Sequence, residues 1–249
     1  MGLKGQALTS LGVALLLSSG GCKPSPDGLI EQALDARGGL ERLRGIQTER
    51  LTGKIAFGTV PGTLRIEFKR PDRMRMEIGL PGGTFLRLVD GNAGWVSDTS
   101  AGHSQLRPMS PEEVAIARRE ADMDGPLVDS KAKGIRIERV GPGQLQGRAT
   151  EDLDIIFKDG TIQRYQLDAA SHEPVGWSET EVVEGKPTRV GSAFHATKRV
   201  EGVLFPTIIE SSAASGRPAQ HISIEHIELN VLMDDARFRP PTLGGALAP

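Results

Sequence analysis

Hydrophobic positions fall into three regimes along the chain. The first is a mostly apolar run from Ala7 to Leu17, interrupted by Thr9 and Ser10, preceded by Lys4 and followed by the small residues Ser18 to Gly21 and then Cys22. A bilayer-spanning helix needs about 20 mostly apolar residues; this run is shorter and matches the apolar region of a secretory signal. Residues 1–21 are therefore read as a signal peptide. The second regime has helical spacing: Leu29, Ile30, Ala33 and Leu34 share a face between Asp27 and Ala36, with Asp27 as the cap. Leu40 to Leu43 add one more turn beyond Gly38-Gly39.

From Leu51 onward the period is two. Leu51, Gly53, Ile55 and Phe57 alternate with Thr52, Lys54 and Ala56. Past Pro61-Gly62, Leu64, Ile66 and Phe68 alternate with Arg65, Glu67 and Lys69; past Pro71-Asp72, Met74, Met76, Ile78 and Leu80 alternate with Arg75, Glu77 and Gly79. Thr84 to Val89 and Ala93 to Ser97 read as two further strands about the turn Asp90-Gly91-Asn92. Half-buried antiparallel strands alternate in this way, and five joined by short turns make a meander. Ser110, Pro111 and Glu113 then mark a helix start, with a capping serine, a first-turn proline and a glutamate three residues on; that helix is predicted to reach Asp122. Strand patterns resume at Ile135 and continue, through the Asp159-Gly160 turn, to Leu229. The chain reads as mainly β with helices, about ten or eleven strands in all. Residues 27–241 form one domain and residues 242–249 a loose tail.

Composition narrows the functions available. Aromatic residues make up only 4% of the chain, so burial rests on Leu, Ile, Val and Met. Thirty basic residues stand against 32 acidic ones, for a net charge of -2, which supplies no field to gather polyanions and excludes nucleic acid as a partner. One cysteine forms neither an internal disulfide nor a thiolate zinc site. Of the histidines His103, His172, His195, His221 and His226, the closest pair is five apart in a predicted strand and would point to opposite faces if that strand were unbroken. No HExxH, GxSxG or phosphate-binding loop is present. Glu112-Glu113 and Asp234-Asp235 read as capping or solvated carboxylates. No catalytic residue, metal or cofactor is expected, and the chain is not read as an enzyme.

The small-residue exit onto Cys22 resembles a bacterial lipobox. The resemblance implies cleavage before Cys22, which becomes the lipid anchor with thioether-linked and amide-linked acyl chains such as palmitate. Several chains exceed what one chain gives, at about 0.8 kcal/mol per buried methylene. Ser19 stands where lipoboxes usually carry Leu; the alternative is an ordinary signal peptide with an incidental cysteine. Lys23 follows the cysteine in place of an acidic inner-membrane retention residue, which implies the outer membrane. Residues 22–26, with Pro24 and Pro26, form a lipidated tether.

A second resemblance spans nearly the whole mature chain. Leu51-Thr52-Gly53-Lys54, Phe68-Lys69-Arg70-Pro71-Asp72-Arg73-Met74-Arg75, Asp90-Gly91-Asn92-Ala93-Gly94-Trp95, Tyr165-Gln166-Leu167-Asp168 with Pro174-Val175, Gly202-Val203-Leu204-Phe205-Pro206, Ile227-Glu228-Leu229-Asn230 and the closing Asp234 to Pro240 are similar, in order, to the LolA/LolB lipoprotein-carrier superfamily. The resemblance implies a half-open, curved antiparallel β-barrel with a helical plug and an apolar cavity between them. Leu64, Ile66, Phe68, Met74, Met76, Ile78, Leu86, Leu88 and Trp95 are the expected lining, the methionines giving an adaptable surface for acyl chains. The membrane-anchored acceptor of that superfamily touches the bilayer with an apolar loop, and Leu80 and Phe85, flanking a hairpin tip, are the candidates here.

The expected function is therefore binding of acyl chains or of a lipoprotein's lipid moiety by a monomer anchored in the outer membrane and facing the periplasm. The competing expectation is a regulatory or scaffold domain that uses the same fold to bind a membrane-protein partner in envelope-stress control.

Overall fold

The computed structural model describes residues 25–183, 186–212 and 219–240. The signal segment 1–21, Cys22 with the first part of the tether, and the tail 242–249 lie outside the described residues.

Two helices open the domain, α1 (Asp27–Arg37) and α2 (Leu40–Gly45). The turn between them closes with Gly38 N–H donating to Asp35 O and Gly39 N–H to Leu34 O, both at 2.9 Å. Gly38 has φ of 126°, and a Cβ there would lie 2.5 Å from Gly202 O. Only glycine meets both demands.

Six strands follow as a meander: β1 (Thr48–Phe57), β2 (Val60–Lys69), β3 (Arg73–Leu80), β4 (Gly83–Asp90), β5 (Ala93–Asp98) and β6 (His103–Pro108). After α3 (Pro111–Glu120) and α4 (Ser130–Lys133), a second meander runs β7 (Arg136–Leu145), β8 (Arg148–Ile156), β9 (Ile162–Asp168), β10 (Pro174–Val183), β11 (Lys186–Val200), β12 (Val203–Ser211) and β13 (Gln220–Leu229). The first and last strands pair, so the order is β6-β5-β4-β3-β2-β1-β13-β12-β11-β10-β9-β8-β7. The result is one curved, open antiparallel sheet of thirteen described strands, the architecture expected. Its edges are β6 and β7, and the chain passes between them through α3 and α4.

Thirteen described strands exceed the expected ten or eleven; the one that alternation does not mark at all is β6. β6 carries a single large apolar residue, Leu106, among polar ones, and its pairing with β5 shifts between Val96 and Asp98. The β7–β8 hairpin extends past Val140 through polar residues to a tip where Gln146 and Gly147 both take positive φ. Alternation of hydrophobicity reports burial, and in β6 Gln105, Arg107 and Pro108 are all exposed.

The helices lie on the concave side. Leu29, Ala33 and Leu34 of α1 and Leu43 of α2 pack with Leu127, Val128, Leu153, Ile155, Leu167, Val203, Phe205 and Leu229 in one core. Ala117 and Ala121 pack with Phe68, Met74 and Val89 in a second. α3 begins as expected: Glu113 N–H donates to Ser110 Oγ at 3.2 Å while Ser110 N–H donates to Glu113 Oε2 at 2.8 Å. Its regular part ends at Glu120, before Asp122.

A turn of 3-10 helix, Asp235–Phe238, packs on β3 and β4 from the convex side. There Glu67, fully buried, accepts bonds from Arg50, Arg65 and Arg237. Burial pushes its carboxyl up, yet the bonds from Arg65, Arg237 and Arg50 outweigh burial and hold it below its ordinary value.

Candidate functional site

Cross-strand partners share a face, so the register assigns every inner side chain. Phe68 pairs with Met74, Ile66 with Met76 and Leu64 with Ile78. On β1, Glu49 pairs with Phe68 and Leu51 with Ile66. On the other side of β1, Leu51 pairs with Ile227, Gly53 with Ile224 and Ile55 with Ile222. These residues face the helices.

Between sheet and helices lies a cavity of about 360 Å³, at the lower end of the roughly 300–1,000 Å³ of small-molecule pockets. Leu51, Leu64, Ile66 and Phe68 line it from β1 and β2, and Phe194, Leu204, Phe205, Ile209, Ile222 and Ile224 from β11 to β13. Arg37 of α1, Glu120 of α3, Asp122 and Met123 beyond it, Tyr165 of β9 and Glu49 of β1 are also part of the wall. A larger depression of about 620 Å³ lies among the α1–α2 turn, the β11–β12 turn and the end of β13, but Glu41, Arg42, Glu201 and Asn230 make it largely polar. The smaller cavity offers the apolar surface and is taken as the site.

Of the expected lining, Leu64, Ile66 and Phe68 border the cavity. Met76 and Ile78 share their face and pack in the cluster about Ile55 and Leu64. Met74 has the same orientation but is fully buried against Val89 and α3. Leu86, Leu88 and Trp95 require correction. Phe85 pairs with Ile78, Arg87 with Met76 and Val89 with Met74, whereas Leu86 pairs with Glu77 and Leu88 with Arg75. Trp95 pairs with Leu88. All three thus lie on the convex face. β4 is apolar at both phases, Phe85 and Val89 as well as Leu86 and Leu88, so hydrophobicity alone could not fix which phase turns inward. Leu88 is fully buried there, on the face that the Asp235–Phe238 turn covers.

Leu80 and Phe85 do not project from their hairpin. Both are half-buried against the cluster of Ile55, Leu64, Ile78 and Ile224. The histidine expectation also changes. A bulge opposite Thr52/Gly53 lets His226 pair with Thr52 and His221 with Ala56, which puts both on the convex face. His195 and His221 flank Glu210 there, at 3.0 and 3.4 Å. Among the described residues no group of His, Cys, Asp and Glu is placed to hold a metal ion, and no helix is long and apolar enough to cross a membrane.

Polar groups gather at the α1 end of the cavity. Arg37 Nη1 donates to Asp124 O at 2.6 Å. Asp124 in turn takes Arg70 at 2.6 Å through both of its oxygens, and Asp122 is held by Lys133. Burial raises Asp122, against the opposing pull of Lys133. Glu49 is 5% exposed, and among the described residues no ion pair reaches it. Burial pushes its carboxyl up to about 7, against the pull of the Arg37 guanidinium and with a further push from Asp124. Burial likewise raises Tyr165, with Arg37 opposing. The sequence reading missed Glu49 because it began the strand at Leu51; continuing the alternation two residues upstream places it on the inner face. The β11 to β13 lining carried a usable signal as well, since Ile222 and Ile224 alternate with Ser223.

An apolar chamber held between a half-open curved β-sheet and its plugging helices defines the class of protein, and solved structures carry the same fold. A domain described as an outer membrane lipoprotein-sorting protein, from Vibrio parahaemolyticus, superposes with a TM-score of 0.57 at 13% identity, over 86% of this chain and 97% of its own. A DUF1329-family protein from Desulfovibrio piger gives 0.57 at 13%, over 86% and 96%, and a LolA superfamily protein from Nitrosomonas europaea gives 0.54 at 14%, over 87% and 98%. The chain has the LolA-like fold. No family model matches its sequence, and no curated protein does.

Proposed function

We propose that the chain is a cell-envelope lipoprotein, anchored to the outer membrane through Cys22, that takes up acyl chains or the lipid moiety of lipoprotein clients in lipoprotein sorting or envelope lipid handling. The observation that carries this reading is the cavity: the concave face of the sheet is not filled by its helices, and the surface left open is mainly Leu, Ile and Phe. Uptake into such a site draws on about 25 cal/mol for each Å² of apolar surface removed from water, and release requires only exchange of apolar contacts. The fold shared with a lipoprotein-sorting domain and a LolA superfamily protein supports the class of cargo.

Native mass spectrometry of the protein purified from its envelope tests the reading. Co-purified acyl lipid is expected, and Ile224→Trp, which places bulk in the cavity wall, is expected to lose it while retaining the fold. A wild-type chain free of lipid that instead captures a membrane protein would be a regulatory or scaffold domain.

A further inference from the structure

Resting on that reading, we infer that the cavity holds the chain of one long-chain fatty acid, with its free carboxylate placed at the α1 end between Arg37 and Glu49. The wall is graded in polarity. At one end stand Arg37, Glu49 and Tyr165; the inner side chains that follow along β1 and its neighbours are Leu51, Ile66 and Ile224. From Glu49 to the level of Ile55 the strand advances about 20 Å, which matches an extended fatty chain with its head at the buried end. The modest cavity volume suits a single chain.

Head chemistry follows from the donors. Arg37 spends one N–H on Asp124 O, and a guanidinium has five. Glu49 is more than nine-tenths out of water, at 5% exposed, has no hydrogen-bond partner among the described residues, and lines the cavity. A buried carboxyl in that position is stable as the neutral acid, which donates. Two donor groups facing one apolar chamber call for an acceptor, and a carboxylate accepts from a guanidinium in the strongest form of that bond. The other charged groups about Glu49 are already engaged: Asp124 with Arg70, Asp122 with Lys133, and Glu120 with Arg87. Tyr165 remains neutral because burial raises its hydroxyl. Ionisation of Glu49 would set a second negative charge beside the ligand, so affinity falls as pH rises through neutrality.

The test uses the full chain with Cys22→Ser, which removes the anchor, and titrates it with palmitate, methyl palmitate and an N-palmitoyl lipopeptide. Palmitate is expected to bind about tenfold or more tightly than its methyl ester and to weaken by about tenfold between about pH 6 and about pH 8. Glu49→Gln should abolish the pH dependence, and Arg37→Met should bring palmitate down to the ester. Because Arg37 also holds Asp124 O, the Glu49→Gln chain keeps the test decisive if the Arg37→Met chain fails to fold. Equal binding of palmitate and ester, or tighter binding of the lipopeptide, overturns the carboxylate assignment and leaves acyl binding standing. Failure of all three ligands overturns acyl binding itself.

Discussion

Glu67 and Arg237 join the outer face of the sheet to the end of the domain: Nε and Nη2 of Arg237 donate to Glu67 Oε2 at 2.9 and 2.8 Å. The carboxylate is fully buried, whereas the guanidinium remains 38% exposed. Removing the acid therefore costs more than removing the base. Glu67→Ala leaves Arg50, Arg65 and Arg237 crowded about an empty position and should destabilise by about 3–5 kcal/mol. Arg237→Ala leaves Glu67 with two of its partners and should cost about 1.5–3 kcal/mol. Urea unfolding of both variants tests the order. Because the folded pKa of Glu67 lies below its ordinary value of 4.5, its contribution is present above that value and is lost as pH falls through the folded pKa. The difference between Glu67→Ala and wild type should accordingly shrink in acid.

Glu49 has the opposite sign. Its folded carboxyl titrates at about 7 against an ordinary 4.5. Between those values the folded chain keeps a proton that the unfolded chain has released, so stability falls as pH rises through the window. The full shift corresponds to about 3 kcal/mol. Glu49→Gln should match wild type near about pH 4 and exceed it near about pH 8, by no more than that amount. Denaturant midpoints at the two pH values decide the matter; an equal gain at both would assign the effect to packing.

The seam between the two meanders depends on one missing side chain. A Cβ on Gly53 would lie 2.0 Å from Ser223 O and 3.0 Å from Ile224 Cα, so the backbone of β13 rather than a movable side chain stands in the way. Gly53→Ala should cost about 1–3 kcal/mol, the usual range for overpacking, and loosen the β1–β13 pairing that joins the two meanders. Faster amide exchange at Gly53 and Ile224, with β8 and β9 unchanged, is the expected signature. Uniform acceleration throughout the sheet would instead mean that the seam does not open locally.

How much of this was legible beforehand varied with how strongly one face of each element is buried. β2 and β3 alternate cleanly, and Leu64, Ile66, Phe68, Met74, Met76 and Ile78 share one face of the sheet. β4 is apolar on both faces because the closing Asp235–Phe238 turn covers its outside, and that cover belongs to a segment more than a hundred residues away in sequence. Periodicity has no access to such long-range burial. The bulge in β13 is equally hidden, since one extra residue, Glu225, reverses the face of everything after it. The polar end of the cavity was the least legible part. Arg37 ends a helix and Glu49 opens a strand, and only the packing of α1 inside the sheet brings them to the same wall.

α3 has the cap to hold itself but few deeply buried side chains, only Ala117 within its regular span. Its C-terminal end carries Glu120 to the cavity wall, with Asp122 and Met123 just beyond. The reciprocal bonds of Ser110 and Glu113 are thus a large share of what keeps the first turn in place. Ser110→Ala removes one of them at a cost of about 1 kcal/mol. Exchange at the α3 amides should accelerate by about fivefold, the equivalent of that cost, while exchange at the β1 and β2 amides holds steady. If α3 serves as the movable wall of the cavity, the same variant should release bound palmitate faster without weakening the Arg37 and Glu49 end. Loss of protection spread evenly over sheet and helix would show that α3 opens only when the whole domain unfolds.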